Sequence, residues 1–138
     1  MEMIIGGAFQ GKEALARKRY PQIAFLRAGQ LTENALFGAD GILDFQDYIR
    51  NSLNEGKDLQ NFAKELIRSN PDLVMTVREV GSGVVPVREE DRRYRETVGR
   101  VCTELADFSD IVIRVVCGIP IVLKNSHKSV GGKTGSIA

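Results

Sequence analysis

Tryptophan is absent from this chain, histidine occurs once, and cysteine occurs twice, at Cys102 and Cys117. The two thiols stand too far apart for a C-x-x-C pair, and one imidazole adds too little to build a zinc cluster at the usual spacings, so both cysteines are expected to be reduced and buried. Charge of one sign is missing as well: 19 lysines and arginines face 18 acidic residues, for a net charge of +1. That balance leaves no electrostatic footprint for nucleic acid or an anionic membrane. The densest basic run, Arg17-Lys18-Arg19, falls where a first helix should end, and there cations complement the helix dipole and the solvent. No apolar run approaches the roughly 18 residues of a membrane span, and no basic start leads into an apolar stretch. Neither spanning nor secretion is indicated, and a cytoplasmic location is expected. What remains is ordinary for a globular fold: 138 residues, 43% apolar and 27% charged, enough for one domain with a real core.

The apolar pattern alternates strands with helices. Residues 3–5 are a short strand, 13–19 a helix, and 22–26 a second strand opened by Pro21. Residues 28–40 lack a convincing period and read as a loop or a short helix. Residues 41–45 are a brief buried strand with Asp44 at its end. Leu59, Phe62, Ala63, Leu66 and Ile67 recur at helical spacing, which lays one stripe on a helix beginning near Asp58. Residues 73–77 form a strand, broken by Gly81-Ser82-Gly83 and Pro86. A helix from about Glu89 then buries Tyr94, Val98, Val101, Leu105 and Phe108 and turns a mixed-charge face to water. Residues 111–116 and 119–123 are joined only by Cys117-Gly118, too short for a parallel crossover, so they must pair as a hairpin. The fold class expected is α/β: a P-loop-type, mostly parallel sheet flanked by helices, with a C-terminal antiparallel hairpin strand. One domain over 1–124 is followed by a flexible tail at 125–138. The tail's Gly132-Lys133-Thr134 lacks the glycine that a second phosphate motif needs at position 127 and reads as a decoy.

Gly6-Gly7-Ala8-Phe9-Gln10-Gly11-Lys12 follows the first strand and leads into the first helix, where a phosphate-binding loop belongs. Its glycines let backbone N–H groups face an anion, Lys12 can reach the outer phosphates, and a helix N-terminus stands behind them. The pattern G-x-x-x-x-G-K-[ST] calls for a hydroxyl after the lysine to hold Mg²⁺, and this chain has Glu13 there. A cradle without its metal ligand favours binding of GTP or ATP over phosphoryl transfer. The plainer reading is a tight strand-to-helix turn, with Glu13 favoured in the first helical turn by the macrodipole. At the carboxyl edge of such a sheet, Asp44 and the turn Arg78-Glu79-Val80-Gly81 can share a crevice with Lys12. The expected nucleotide site is therefore Gly6, Gly7, Ala8, Phe9, Gln10, Gly11, Lys12, Glu13, Glu79 and Gly81. Lys12 and Asp44 are the expected catalytic pair, Asp44 also serving as the Mg²⁺ carboxylate.

Three stretches carry a family resemblance: the loop at 6–12, the turn Glu79-Val80-Gly81-Ser82-Gly83-Val84-Val85-Pro86, and the ending Val116-Cys117-Gly118-Ile119-Pro120-Ile121-Val122-Leu123-Lys124. In this order they resemble the adenosylcobinamide kinase / adenosylcobinamide-phosphate guanylyltransferase family, and Arg92, Arg95, Gly99, Leu105 and Ala106 fit its helix pattern. The resemblance implies a cytoplasmic enzyme of cobalamin assembly, a homo-oligomer of trimeric form, that phosphorylates a corrinoid, adenosylcobinamide, and then transfers GMP through a guanylylated histidine. Family members carry that histidine in a charged helix after the second strand. This chain has none between Ala28 and Asp40, and its one imidazole, His127, lies in the tail. Guanylyl transfer is therefore not expected, and Glu13 puts kinase chemistry in question. Two readings follow. One is a nucleotide-binding relative with Lys12 on the phosphates, Asp44 on Mg²⁺ and Glu79 near nucleotide or corrinoid. The other is a non-catalytic scaffold or regulatory relative, with Glu13 filling the anion hole beside Lys12.

Overall fold

A computed structural model describes residues 1–80 and 88–126. The turn at 81–87, Gly81 included, and the tail from His127 onward lie outside the described residues, as do the expectations placed on them. Six strands form one sheet in the order β2-β3-β4-β1-β5-β6, where β1 is Glu2–Gly6, β2 Leu26–Arg27, β3 Gly41–Leu43, β4 Val74–Arg78, β5 Ile111–Val116 and β6 Ile119–Asn125. The first five pair in parallel, and β5 with β6 is antiparallel. The expected fold class holds. Cys117 at φ 51° and Gly118 at φ 77° make the two-residue hairpin turn, whose twist requires positive φ at both central positions.

Among the described residues five α-helices flank the sheet: α1 Lys12–Arg19, α2 Glu33–Gly38, α3 Phe45–Asn54, α4 Phe62–Ser69 and α5 Glu89–Phe108. Met3, Ile42, Met75, Val77 and Val112 face a large core completed by side chains of α2, α3, α4 and α5. Ile4, Leu43, Val74 and Val115 face the other way, against Ala16 of α1 and Phe25. The alternation along each strand thus assigns the two faces of the sheet. Phe62 anchors the larger core, stacked with Phe37, Phe45 and Tyr48 at centroid distances of 5.4–6.3 Å.

Several expectations need correction. The second strand is two residues long rather than spanning 22–26, because its partner β3 offers only three residues before Asp44 turns left-handed at φ 58°. Residues 23 and 25 instead cover Gly41, where any Cβ would lie 2.6 Å from the Phe25 ring. Residues 28–40, expected as a loop or a short helix, do hold a short helix, α2, after a 3₁₀ turn at Ala28–Gln30, and its Thr32 cap accepts from the Ala35 N–H at 3.2 Å. Helix α3 was not anticipated: the strand expected over 41–45 stops at Leu43, and Phe45 already belongs to the helix. Asp58 does not begin α4; its carboxylate accepts from the Gln60 N–H at 2.9 Å in a local turn. Phe108 ends α5 and is 40% exposed rather than buried. Cys102 is half-buried and Cys117 exposed, both free thiols, so burial fails for the hairpin cysteine. Arg19 is not a solvated member of its basic run, since it is buried against Glu2 in a bidentate pair at 2.7 and 2.8 Å. Asn125, the expected first residue of the tail, is the last of β6.

Candidate functional site

A parallel sheet gathers its strand ends along one edge, and here that edge carries Gly6 beside Arg78 and Arg27 beside Leu43. Above it opens a cleft of about 340 Å³ lined by Ala8, Phe9, Gln10, Gly11, Lys12, Glu13, Ala14, Arg27, Asp44, Thr76 and Arg78. Most of the expected site residues are brought together there.

The loop's shape follows from its glycines and from the hairpin beneath it. A Cβ at Gly6 would meet the Val115 carbonyl oxygen at 2.6 Å, so the close passage of β5 requires glycine. Gly11 caps α1 at φ 98°, and no side chain caps this helix, which leaves its first N–H groups turned to the cleft. Gln10 ties the loop to the hairpin turn: its carbonyl accepts from Gly118 N–H at 2.8 Å, and its Oε1 accepts from Cys117 N–H at 2.5 Å. Phe9 sits at φ 58° and is wholly exposed at the loop tip. A left-handed aromatic residue is a backbone outlier of the kind found at ligand sites.

Lys12 is buried, and its Nζ donates to the Gly7 carbonyl oxygen at 2.5 Å. Burial pushes its ammonium below the ordinary lysine range, with Asp44 opposing that shift and Arg78 adding to it. Among the described residues this ammonium donates to a carbonyl of its own loop, and a cation held partly out of water gains from an anionic partner. The Glu13 carboxylate pairs with two arginines. Its Oε1 accepts from Arg27 Nη2 at 2.8 Å and its Oε2 from Arg17 Nε at 3.1 Å. The Arg27 contact, more than Arg17, holds the Glu13 carboxyl below the usual carboxylate range. Both oxygens of the Glu13 carboxylate thus have arginine donors.

Asp44, left-handed as the cap of α3, donates its N–H to Thr76 Oγ1 at 2.9 Å and accepts from Arg27 Nη1 at 3.2 Å through Oδ2. Magnesium does not fit between Glu13 and Asp44 in this arrangement, because the Arg27 guanidinium bridges them. Glu79 forms a bidentate pair with Arg114 of β5 at 2.8 and 3.2 Å and is absent from the cleft walls. Gly6 and Gly7 shape the loop from behind without lining the cleft.

Two polar lining residues, Thr76 and Arg27, are not singled out in the sequence. Thr76 was legible as the one polar residue inside the apolar run of β4. Arg27 had only its position to announce it, at the carboxyl end of a parallel strand, where ligands gather.

Fold and cleft together define an α/β protein with a glycine-rich, cationic loop at the carboxyl end of its central strand. Residues 28–123 match the model of the family described as cobinamide kinase / cobinamide phosphate guanyltransferase. The chain belongs to this family. Over 96 residues it is 31% identical to the bifunctional adenosylcobalamin biosynthesis protein CobU of Escherichia coli (strain K12), a span covering 68% of this chain and 53% of that protein. The namesake protein of Salmonella typhimurium (strain LT2) is similar to the same extent, 31% over 96 residues. The chain thus spans about half the length of the curated relatives it matches. The family match begins at residue 28, so the loop at 6–12 stands outside it.

Proposed function

We propose that this protein binds a nucleoside triphosphate, GTP or ATP, with its phosphates on the loop at 6–12 and against Lys12, and that it phosphorylates a corrinoid alcohol such as adenosylcobinamide. The observation that carries the reading is the cleft at the open N-terminus of α1, into which buried Lys12 brings an ammonium that donates to a carbonyl of its own loop. Membership of the family supports kinase-type chemistry on cobinamide. In a phosphoryl transfer the residues here would do positioning and charge work: Lys12 and Arg78 on the triphosphate, the α1 amides on its oxygens, and Asp44 across the cleft facing the acceptor. Guanylyl transfer is not part of the proposal, since it needs an imidazole at the α-phosphate and the chain's one histidine is His127. No helix among the described residues is long and apolar enough to cross a membrane, and a cytoplasmic setting belongs to the proposal. The protein acts as a homo-oligomer in this reading, a trimer as in the family resemblance.

Incubation with adenosylcobinamide and GTP or ATP labelled at the γ-phosphate should move label onto the corrinoid. Label at the α-phosphate of GTP should stay off the denatured protein. No γ-label on the corrinoid, or α-label retained on the chain, would contradict the proposal.

A further inference from the structure

Both oxygens of the Glu13 carboxylate are taken, Oε1 by Arg27 and Oε2 by Arg17. Arg27 continues across the cleft to Asp44 Oδ2. Its guanidinium thus spans the two positions, the residue after the loop lysine and the strand-end aspartate, between which a phosphate-bound divalent ion would have to sit. An ion entering there would first have to break both charge-assisted bonds.

The bridge has little value as a stability device. Arg27 is 51% exposed and Glu13 42%, and ion pairs this exposed contribute almost nothing measurable to folding. It does fix a planar fork over the cleft. A guanidinium carries five N–H donors, and the two bonds to Glu13 and Asp44 leave donor capacity on the same fork for phosphate oxygens. Among the lining residues the cations Lys12, Arg27 and Arg78 outnumber the carboxylates Glu13 and Asp44, so the cleft keeps a positive excess without any metal.

We propose that Arg27 is the resident cation of this site. The triphosphate binds as the metal-free polyanion, held by Lys12 and Arg27, while Glu13 and Asp44 are positioning residues that aim the guanidinium. The inference rests on the nucleotide reading above. It also accounts for a glutamate where a metal-binding hydroxyl is expected: Glu13 serves an arginine, not a metal.

Calorimetric titration with GTP, ATP and inorganic tripolyphosphate, each in EDTA and in excess Mg²⁺, tests it. The wild-type protein should bind at least as tightly in EDTA as in Mg²⁺. Arg27→Met should weaken binding in EDTA by about tenfold or more, the scale of one lost charge-assisted contact, and Arg27→Lys should recover part of it. Glu13→Ser releases one bond to the guanidinium and supplies a hydroxyl, so Mg²⁺ should tighten binding to that variant, a response a merely structural Glu13 would not produce. Wild-type affinity that rises more than about tenfold with Mg²⁺, or an Arg27→Met protein that binds like wild type in EDTA, overturns the inference and leaves nucleotide binding standing. Metal-free capture of tripolyphosphate with refusal of both nucleotides sinks the proposed function and keeps the inference. Refusal of all three sinks both.

Discussion

Tyr20 shows how a single contact sets a measurable property. Its hydroxyl donates to Glu2 Oε1 at 2.5 Å, and Glu2 is itself buried and clamped by Arg19. Burial, reinforced by that carboxylate, pushes the phenol from 10.0 to about 12. The folded chain therefore keeps a proton that the unfolded chain releases first, so the stabilisation is complete below pH 10.0 and is lost as pH rises toward about 12. Urea unfolding across that window should show wild-type stability falling more steeply than that of Tyr20→Phe, by on the order of 1 kcal/mol. Tyr48 and Tyr94 are common to both proteins and cancel in the comparison. Parallel slopes would contradict the assignment. None of this was legible in the sequence, where Arg19 belongs to a basic run and Glu2 is the second residue of a strand. The pair exists because α1 ends over the start of β1. The loop glycines were legible, and the structure adds the reason for Gly6, a carbonyl of β5 that leaves no room for a Cβ.

Elements with a clear apolar period emerged as the sequence predicts, and those set by their neighbours did not. The stripe of α4 and α5 and the two-residue turn between β5 and β6 are local signals. The length of β2 is decided by β3, and the start of α3 by a left-handed Asp44, neither of which is a local signal. Even so, Phe45, Tyr48, Ile49 and Leu53 repeat at helical spacing, so α3 was there to be read. Strand β6 is the element with most left uncovered. It closes one edge of the sheet and leaves Ile119, Ile121, Val122 and Leu123 between 43 and 64% exposed. Its one charged side chain, Lys124, turns back to the Ala106 and Asp107 carbonyls at the end of α5 and so does little to guard the edge. In the oligomeric reading this strand meets another copy. Light scattering at high concentration should give a mass above one chain for the wild type and the mass of one chain for the double variant Ile119→Lys, Leu123→Lys. A monomeric wild type would contradict it.

On the scale of the whole molecule, near-neutral charge and a sheet with its strand ends opened on one edge are the features on which the proposed small-ligand role rests. Family membership over residues 28–123 agrees with that role. The candidate cleft draws on both parts of the chain: the loop and Lys12 precede the matched stretch, while Asp44, Thr76 and Arg78 lie within it. The sequence pointed to the first group by motif and to Asp44 by its place at a strand end. Arg27 escaped it because its role depends on two carboxylates that only folding brings together. The central claim is that the loop holds a triphosphate through Lys12. Thermal unfolding of wild type and Lys12→Ala with GTP, ATP or neither measures it. A nucleotide at one hundred times its dissociation constant should stabilise the wild type by about 2.7 kcal/mol, a plain rise in melting temperature, and should leave Lys12→Ala nearly unmoved. Melting curves that stay put at millimolar nucleotide in the wild type, or that shift equally in both proteins, would contradict the claim.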